Sequence, residues 1–410
     1  MRSVAKRCFV TPVLLMAACA GRSAAPTVPT EVEVRRLEEM RIVARQHEDG
    51  SYEVGAYDAE SLFRRGVVAM RESRCSEAVE LYDRVADEFP SSRFVSPSLY
   101  NAGLCLKESG NNAAAAVRFE RLLRDVPDSR DVKHAGFQLL ELYLALERWD
   151  DGSAMADRLL ARDDLSVDER VEAMARKAQA TLGNGLRDEA RSQARRTLSW
   201  ARRRPEDDRV RDVYFIAAAN YVLAETFRLQ AEAIAIPEGG VAVQRPILER
   251  RARLILDAQR EYFNTIRNSD ARWSAAAGYR IGQMYESFWD AIMSAPVPPP
   301  SEPLEGELLE VYNQEYRTSL ARLVKPLIRH SIRYWELTLV MVERTGVETE
   351  WTERIRRDLE RLRARLLAQP DGPEGFDSLR SSGERDPREA GSAPGADEPA
   401  PPTNASPPER

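Results

Sequence analysis

The chain is poor in the residues that most often do chemistry. Its 410 residues hold four Cys and three His, and only five of its 60 basic residues are Lys (Lys6, Lys107, Lys133, Lys177 and Lys325). So few cysteines exclude a disulfide-built scaffold. His47, His134 and His330 lie far apart in sequence, whereas a zinc site needs about three or four clustered ligands. There is no phosphate-binding glycine loop, no G-x-S-x-G elbow and no H-E-x-x-H, so neither a metal nor a cofactor is expected and the chain does not read as an enzyme. The formal net charge of −6 argues against a nucleic-acid binder, which usually carries a basic surface. Arg202–Arg204 and Arg250–Arg253 then read as solvated helix faces. Strand-like alternation of β-branched residues is nearly missing. What is present is apolar material: 43% of residues are hydrophobic, enough to build a core.

The first residues read as an address. Arg2, Lys6 and Arg7 precede a short apolar run at 8–18, the layout of a secretory signal. The run is too short for a bilayer span of about 20 residues. Leu15-Met16-Ala17-Ala18-Cys19 resembles a bacterial lipobox. That resemblance implies cleavage after residue 18 and acyl chains on Cys19, with residues 19–30 as a flexible tether. Cleavage after Ala20, which fits an A-x-A site, would instead leave a soluble periplasmic protein, and an uncleaved anchor is the third reading. Ala20 follows the cysteine, so the acidic residue typical of inner-membrane retention is absent. The resemblance therefore implies a lipid-anchored protein on the periplasmic face of the outer membrane. Cys75 and Cys105 remain in the mature chain. An exported compartment permits a disulfide between them, and two buried apolar thiols on neighbouring helices is the other reading.

An internal repeat organises the middle. Gly66 and Gly103, Ala78 and Ala115, Tyr82 and Phe119, and Pro90 and Pro127 are each 37 residues apart. These units resemble the tetratricopeptide repeat (TPR). In that family a small residue midway along helix A and an Ala early in helix B allow close crossing, an aromatic follows, and a Pro ends helix B. Gly110 and Gly185 fall at the turn between helices A and B, where left-handed backbone angles suit Gly. Apolar residues recur at three- and four-residue steps, as in Leu139, Leu142, Tyr143 and Leu146. The expected fold is therefore all-α: an α-solenoid of helix-turn-helix TPR-like repeats. Four units are expected over 57–204. Residues 205–368 are expected to hold two longer-helix, degenerate units plus a capping helix, with Pro326 kinking or splitting the last helix B. A short helix is expected within 31–48. Residues 369–410, with nine of the chain's 24 Pro, are expected to form a disordered Pro-rich tail.

The first two units are similar to those of the TPR lipoprotein of the outer-membrane protein assembly complex and of periplasmic cell-division coordinators. The second half is more similar to envelope TPR proteins of deltaproteobacteria, some of which serve gliding motility. The resemblance implies a non-catalytic scaffold that binds envelope proteins or peptides, with a lipid anchor in the membrane and no nucleic-acid partner. Aromatics cluster within 262–289, and Trp273, Tyr279 and Trp289 sit off the consensus core positions, so they are the candidate partner-binding residues. Stacking of sugar rings on them, in a peptidoglycan- or glycan-binding module, is the alternative reading.

Overall fold

The structure is a computed structural model that describes residues 39–46, 51–268 and 270–368. The expected signal peptide, Cys19, the tether and the Pro-rich tail lie outside the described residues. Thirteen α-helices occur among those described.

Eight helices form four A–B pairs: α1 (Ala59–Arg71) with α2 (Cys75–Glu88), α3 (Val95–Glu108) with α4 (Asn112–Asp125), α5 (Val132–Ala145) with α6 (Trp149–Leu160), and α7 (Val167–Gly183) with α8 (Arg187–Arg202). Polar side chains start several of these helices. Asp58 and Ser61 form a capping box on α1, Ser166 and Glu169 another on α7, and Asn111 accepts from the Ala114 N–H at the start of α4. The A-to-B turns share one backbone conformation. Ser73, Gly110, Glu147 and Gly185 all have φ between 56° and 78°, at repeat spacing. Gly adopts that region freely, while the other two residues are held there by the turn.

Close crossing within a unit is a matter of volume. A Cβ added at Gly66 would lie 2.6 Å from the Tyr82 ring, and one at Gly103 would lie 2.6 Å from the Phe119 ring. One period on, the large and small partners exchange places. Leu140 replaces the glycine and Ala156 replaces the aromatic, and both are fully buried. In the fourth unit Ala178 and Ala194 fill both positions.

After a short 3-10 turn (Glu206–Asp208) the helices lengthen. α9 (Val213–Glu232) pairs with α10 (Val241–Arg267), α11 (Ala271–Met293) pairs with α12 (Glu307–Thr345), and α13 (Glu350–Leu367) packs on both α11 and α12. The volume rule returns at a larger scale. Gly282 lies against Trp335 and Gly278 against Thr338, so that a Cβ at either glycine would clash. Trp335 is fully buried and donates its indole N–H to the Tyr279 carbonyl at 2.9 Å.

The core does not break where the style changes. One cluster of buried side chains runs from Val171 through Ala194, Phe227 and Tyr262 to Trp335 and Leu362. Each A helix from α7 onward touches the next, α7 on α9, α9 on α11 and α11 on α13. No described helix is long and apolar enough to cross a membrane.

Two expectations are corrected. Residues 40–46 are a strand, not part of a helix within 31–48. β1 (Met40–Gln46) pairs antiparallel with β2 (Tyr52–Asp58), Ile42 opposite Ala56 and Ala44 opposite Val54. Ile42, Val43, Val54 and Tyr57 favour a pleated surface, and one face of the hairpin finds a partner. Arg41 donates to the Glu88 carbonyl at 3.0 Å, and Tyr57 donates to the Glu88 carboxylate at 2.5 Å while meeting Phe89 edge-on. The opposite face, Met40, Ile42, Ala44, Val54 and Ala56, is exposed. The second correction concerns one arm of the expectation at Pro326, a kink or a split: the split is excluded, since α12 is continuous over 39 residues. Only one backbone hydrogen bond is lost at a proline, and Val324, Lys325 and Ile328 on either side are buried and hold the helix in place.

Candidate binding face

The A helices present a run of side chains that link each unit to the next. It starts on α3, where the Lys107 ammonium donates to Gln138 Oε1 at 2.8 Å and pairs with Glu141 at 2.6 Å, both on α5. Glu141 accepts from Arg176 of α7 at 3.1 Å. Burial draws the Glu141 carboxyl upward, but Lys107 and Arg176 outweigh it and hold the group below its ordinary range. Glu172 shows the opposite balance: burial raises its carboxyl despite Arg176 nearby. Arg176 Nε lies 2.9 Å from Glu172 yet is not aligned for a hydrogen bond. The Arg176 guanidinium lies 5.2 Å from the Phe215 ring centre on α9.

From there the run becomes aromatic. Tyr214 meets Phe215 edge-on and lies 5.6 Å from Trp273 of α11, and Trp273 lies 5.1 Å from Tyr221. Arg280 donates to the Tyr221 hydroxyl at 3.2 Å and sits over Trp351 of α13 at 5.4 Å. Arg354 covers the same indole at 4.6 Å. Tyr214, Tyr221, Trp273, Arg280 and Trp351 are all half-buried. The Trp273 indole N–H is shielded from solvent and has no hydrogen-bond partner. Such an orphan donor is costly.

Beneath this face lies a buried ionic knot. Glu225 accepts two hydrogen bonds from Arg228, at 2.6 and 3.1 Å, and a third from the Tyr262 hydroxyl. Arg228 is also clamped by Glu232 at 2.7 Å, and Arg280 approaches Glu225 to 3.5 Å. Burial opposes ionisation of Glu225, but the arginines and Tyr262 prevail and its carboxyl is lowered. The same negative charge, added to burial, raises the hydroxyl of Tyr262. The knot fixes where Arg280 and Tyr221 stand on the surface above it.

The three aromatics singled out from sequence separate here. Trp273 belongs to the half-buried strip. Tyr279 and Trp289 do not, which corrects the expectation that they face a partner. Tyr279 is 6% exposed, stacked on Trp335 at 8° between ring planes, and donates to Asp358 at 3.1 Å. Trp289 is 5% exposed, under the Arg365 guanidinium at 4.1 Å. Both are covered by α13, whose docking position is not written in the local pattern of α11. Tyr214, Tyr221, Arg280 and Trp351 were missed. Their signal is spacing on the A-helix faces, which appears only once the A helices of different units are set side by side. The repeat residues Gly66, Ala78, Tyr82, Gly103, Ala115 and Phe119 occupy the helix crossings, and Pro90 and Pro127 follow the B helices.

Among the described residues, no three His, Cys, Asp or Glu side chains converge as a metal site requires. His134 is exposed, and His330 stacks on Tyr285 at 5.5 Å. The Pro-rich connection before α12 is pinned down. Gln244 donates to the Pro296 carbonyl at 2.9 Å, and Tyr312 donates to that of Pro298 at 3.0 Å.

Residues 60–92 and 98–129, which cover most of α1–α4, match the tetratricopeptide repeat family model. No curated protein matches the chain. Among solved structures, a tetratricopeptide repeat protein from Parabacteroides merdae is 12% identical, covering 74% of this chain and 98% of its own, with a TM-score of 0.35. MamA from Desulfovibrio magneticus is 12% identical over 49% of this chain and 95% of its own, with a TM-score of 0.32. PilF from Pseudomonas aeruginosa is 11% identical over 57% of this chain and 95% of its own, with a TM-score of 0.32.

Proposed function

We propose that this chain is a non-catalytic scaffold that holds a polypeptide segment of an envelope partner along its A-helix face. The observation that carries the reading is the half-buried strip Tyr214, Trp273, Tyr221, Arg280 and Trp351. Aromatics and Arg dominate protein interfaces, and solenoids use extended inner faces for binding. The acid–base ladder from Lys107 to Arg176 would then select a segment with charges of both signs.

The second part of the proposal is location. The lipobox-like 15–19 supports acylation of Cys19 and anchorage in the outer membrane, facing the periplasm. Several acyl chains hold a protein stably on a membrane, at about 0.8 kcal/mol per buried methylene.

The test is affinity isolation from solubilised envelopes. The reading expects envelope proteins recovered in stoichiometric amount with the wild type and lost with Arg280→Ala. Retention on purified peptidoglycan, lost with Trp273→Ala, would instead favour the glycan-binding alternative. For location, Cys19→Ala is expected to abolish acyl labelling and release the protein to the soluble fraction.

A further inference from the structure

Two thiols from consecutive repeats meet in this fold. Cys75 is the first residue of α2 and is half-buried, while Cys105 lies near the end of α3 and is fully buried. Their sulfurs are 2.6 Å apart. That is inside the contact distance of two unbonded sulfurs and close to a disulfide bond of about 2.0 Å. The residues around them, Ala69, Ala78, Tyr82 and Ala102, are packed without gaps to solvent. Asn101 donates to the Tyr82 hydroxyl at 3.4 Å, so α2 and α3 are already tied together beside the pair.

We propose that Cys75 and Cys105 are a modification site: a thiol pair that oxidises to an intrachain disulfide joining the first repeat to the second. The oxidant is a disulfide-bearing molecule, protein or small, reacting by thiol–disulfide exchange. Cys75, the reachable sulfur, loses its proton and attacks one sulfur of the oxidant. The oxidant's other sulfur leaves as a thiolate, and a mixed disulfide forms on Cys75. Cys105 then loses its proton and attacks Cys75 Sγ, expelling the second thiolate. Two electrons and two protons pass from the pair to the oxidant, whose disulfide ends as two thiols. The order follows from access. Burial, with the adjoining Cys75 thiol, pushes the Cys105 thiol up to about 12, so it reacts only with the sulfur beside it.

The bond would clamp helix B of the first unit to helix A of the second, the joint about which a solenoid flexes. The site stands on its own geometry and not on the proposed partner.

The experiment uses the full chain, equilibrated with glutathione disulfide or with dithiothreitol and digested by trypsin without reduction. Cleavage at Arg74, Arg84, Arg93 and Lys107 places the two cysteines in peptides 75–84 and 94–107. The expected result under oxidation is one linked pair of these peptides, about 2 Da lighter than their sum, from a monomeric chain. The oxidised protein should also melt several degrees higher than the reduced one, a shift absent in Cys75→Ser. Recovery of the two peptides separately, free or each carrying glutathione, would overturn the proposal, as would a link between two chains. The peptide map needs no variant, so a folding defect in Cys75→Ser leaves it decisive.

Discussion

A Cβ on Gly103 would stand 2.6 Å from the edge of the Phe119 ring. One helix therefore gives up a side chain so that its neighbour can carry a large one. In an open helix Gly→Ala gains about 1 kcal/mol from propensity. Here that gain competes with a ring that has no space to move, since Phe119 is fully buried and meets Tyr100 edge-on. Gly103→Ala is expected to destabilise the chain by about 1–3 kcal/mol, the usual range for overpacking. Adding Phe119→Leu should recover part of the loss. Urea unfolding of the single and double variants measures the coupling, and simple additivity would contradict the clash.

The A-to-B turns make an opposite prediction. Glu147 holds φ at 56° in the place where the second unit has Gly110 at 78°. A left-handed residue with a Cβ costs roughly 1–2 kcal/mol. Glu147 is exposed, so little is lost with its side chain. Glu147→Gly is expected to raise stability by about 1 kcal/mol, less the added freedom of the unfolded chain, and Gly110→Ala to lower it. Melting temperatures of the two variants should move in opposite directions.

The knot around Glu225 predicts a dependence on pH. Its carboxyl is held below the ordinary value of 4.5. A group whose folded pKa is depressed contributes stability above the unfolded value, and that stability is lost as pH falls through the folded one. Stability is therefore expected to be level near neutrality and to fall as pH drops below about 4.5. Glu225→Gln should lower stability at pH 7 by about 3 kcal/mol, the lower end for breaking a buried pair, because Glu232 still holds Arg228. The variant should also lose part of the acid slope. Denaturation midpoints across pH 3–7 test this, and parallel curves for variant and wild type would remove Glu225 as the source.

Trp273 separates binding from folding. Its ring packs between Tyr214 and Tyr221, and its N–H is unpaired. Trp273→Phe keeps an aromatic ring and deletes the donor. The N–H is shielded, so a bound segment meets only the ring, and affinity should change by less than about 3-fold. Stability should hold or rise, since a buried donor without a partner is removed; titration calorimetry with the isolated partner reads the affinity, and urea unfolding of the chain reads the stability.

How much of this was legible follows from what each signal depends on. The glycine–aromatic crossings repeat at 37 residues, so periodicity reveals them without a structure. Their exchange at Leu140 and Ala156 keeps the summed volume and breaks the motif, and a consensus search loses the unit there. The hairpin was obscured by the three- and four-residue spacing of Val34, Leu37, Met40 and Val43, which reads as a helix. The sharper signal is the pair of β-prone stretches themselves, Ile42-Val43 and Val54 with Tyr57. Trp273 was readable as a free aromatic. The burial of Tyr279 and Trp289 was not, because it depends on Asp358 and Arg365, about 80 residues downstream on a helix whose position only packing decides.

The unbroken core from Val171 to Leu362 bears on how such a chain can be inherited. A gene cut near codon 205 would leave the upstream product with Ala178, Ala194 and Leu198 stripped of Phe215 and Phe227. The downstream product would start on an uncovered α9. Neither piece could be traded between genes as a finished module. A cut there would therefore leave apolar surface bare on both pieces, whereas a longer Pro-rich connection before α12 would leave that seam intact.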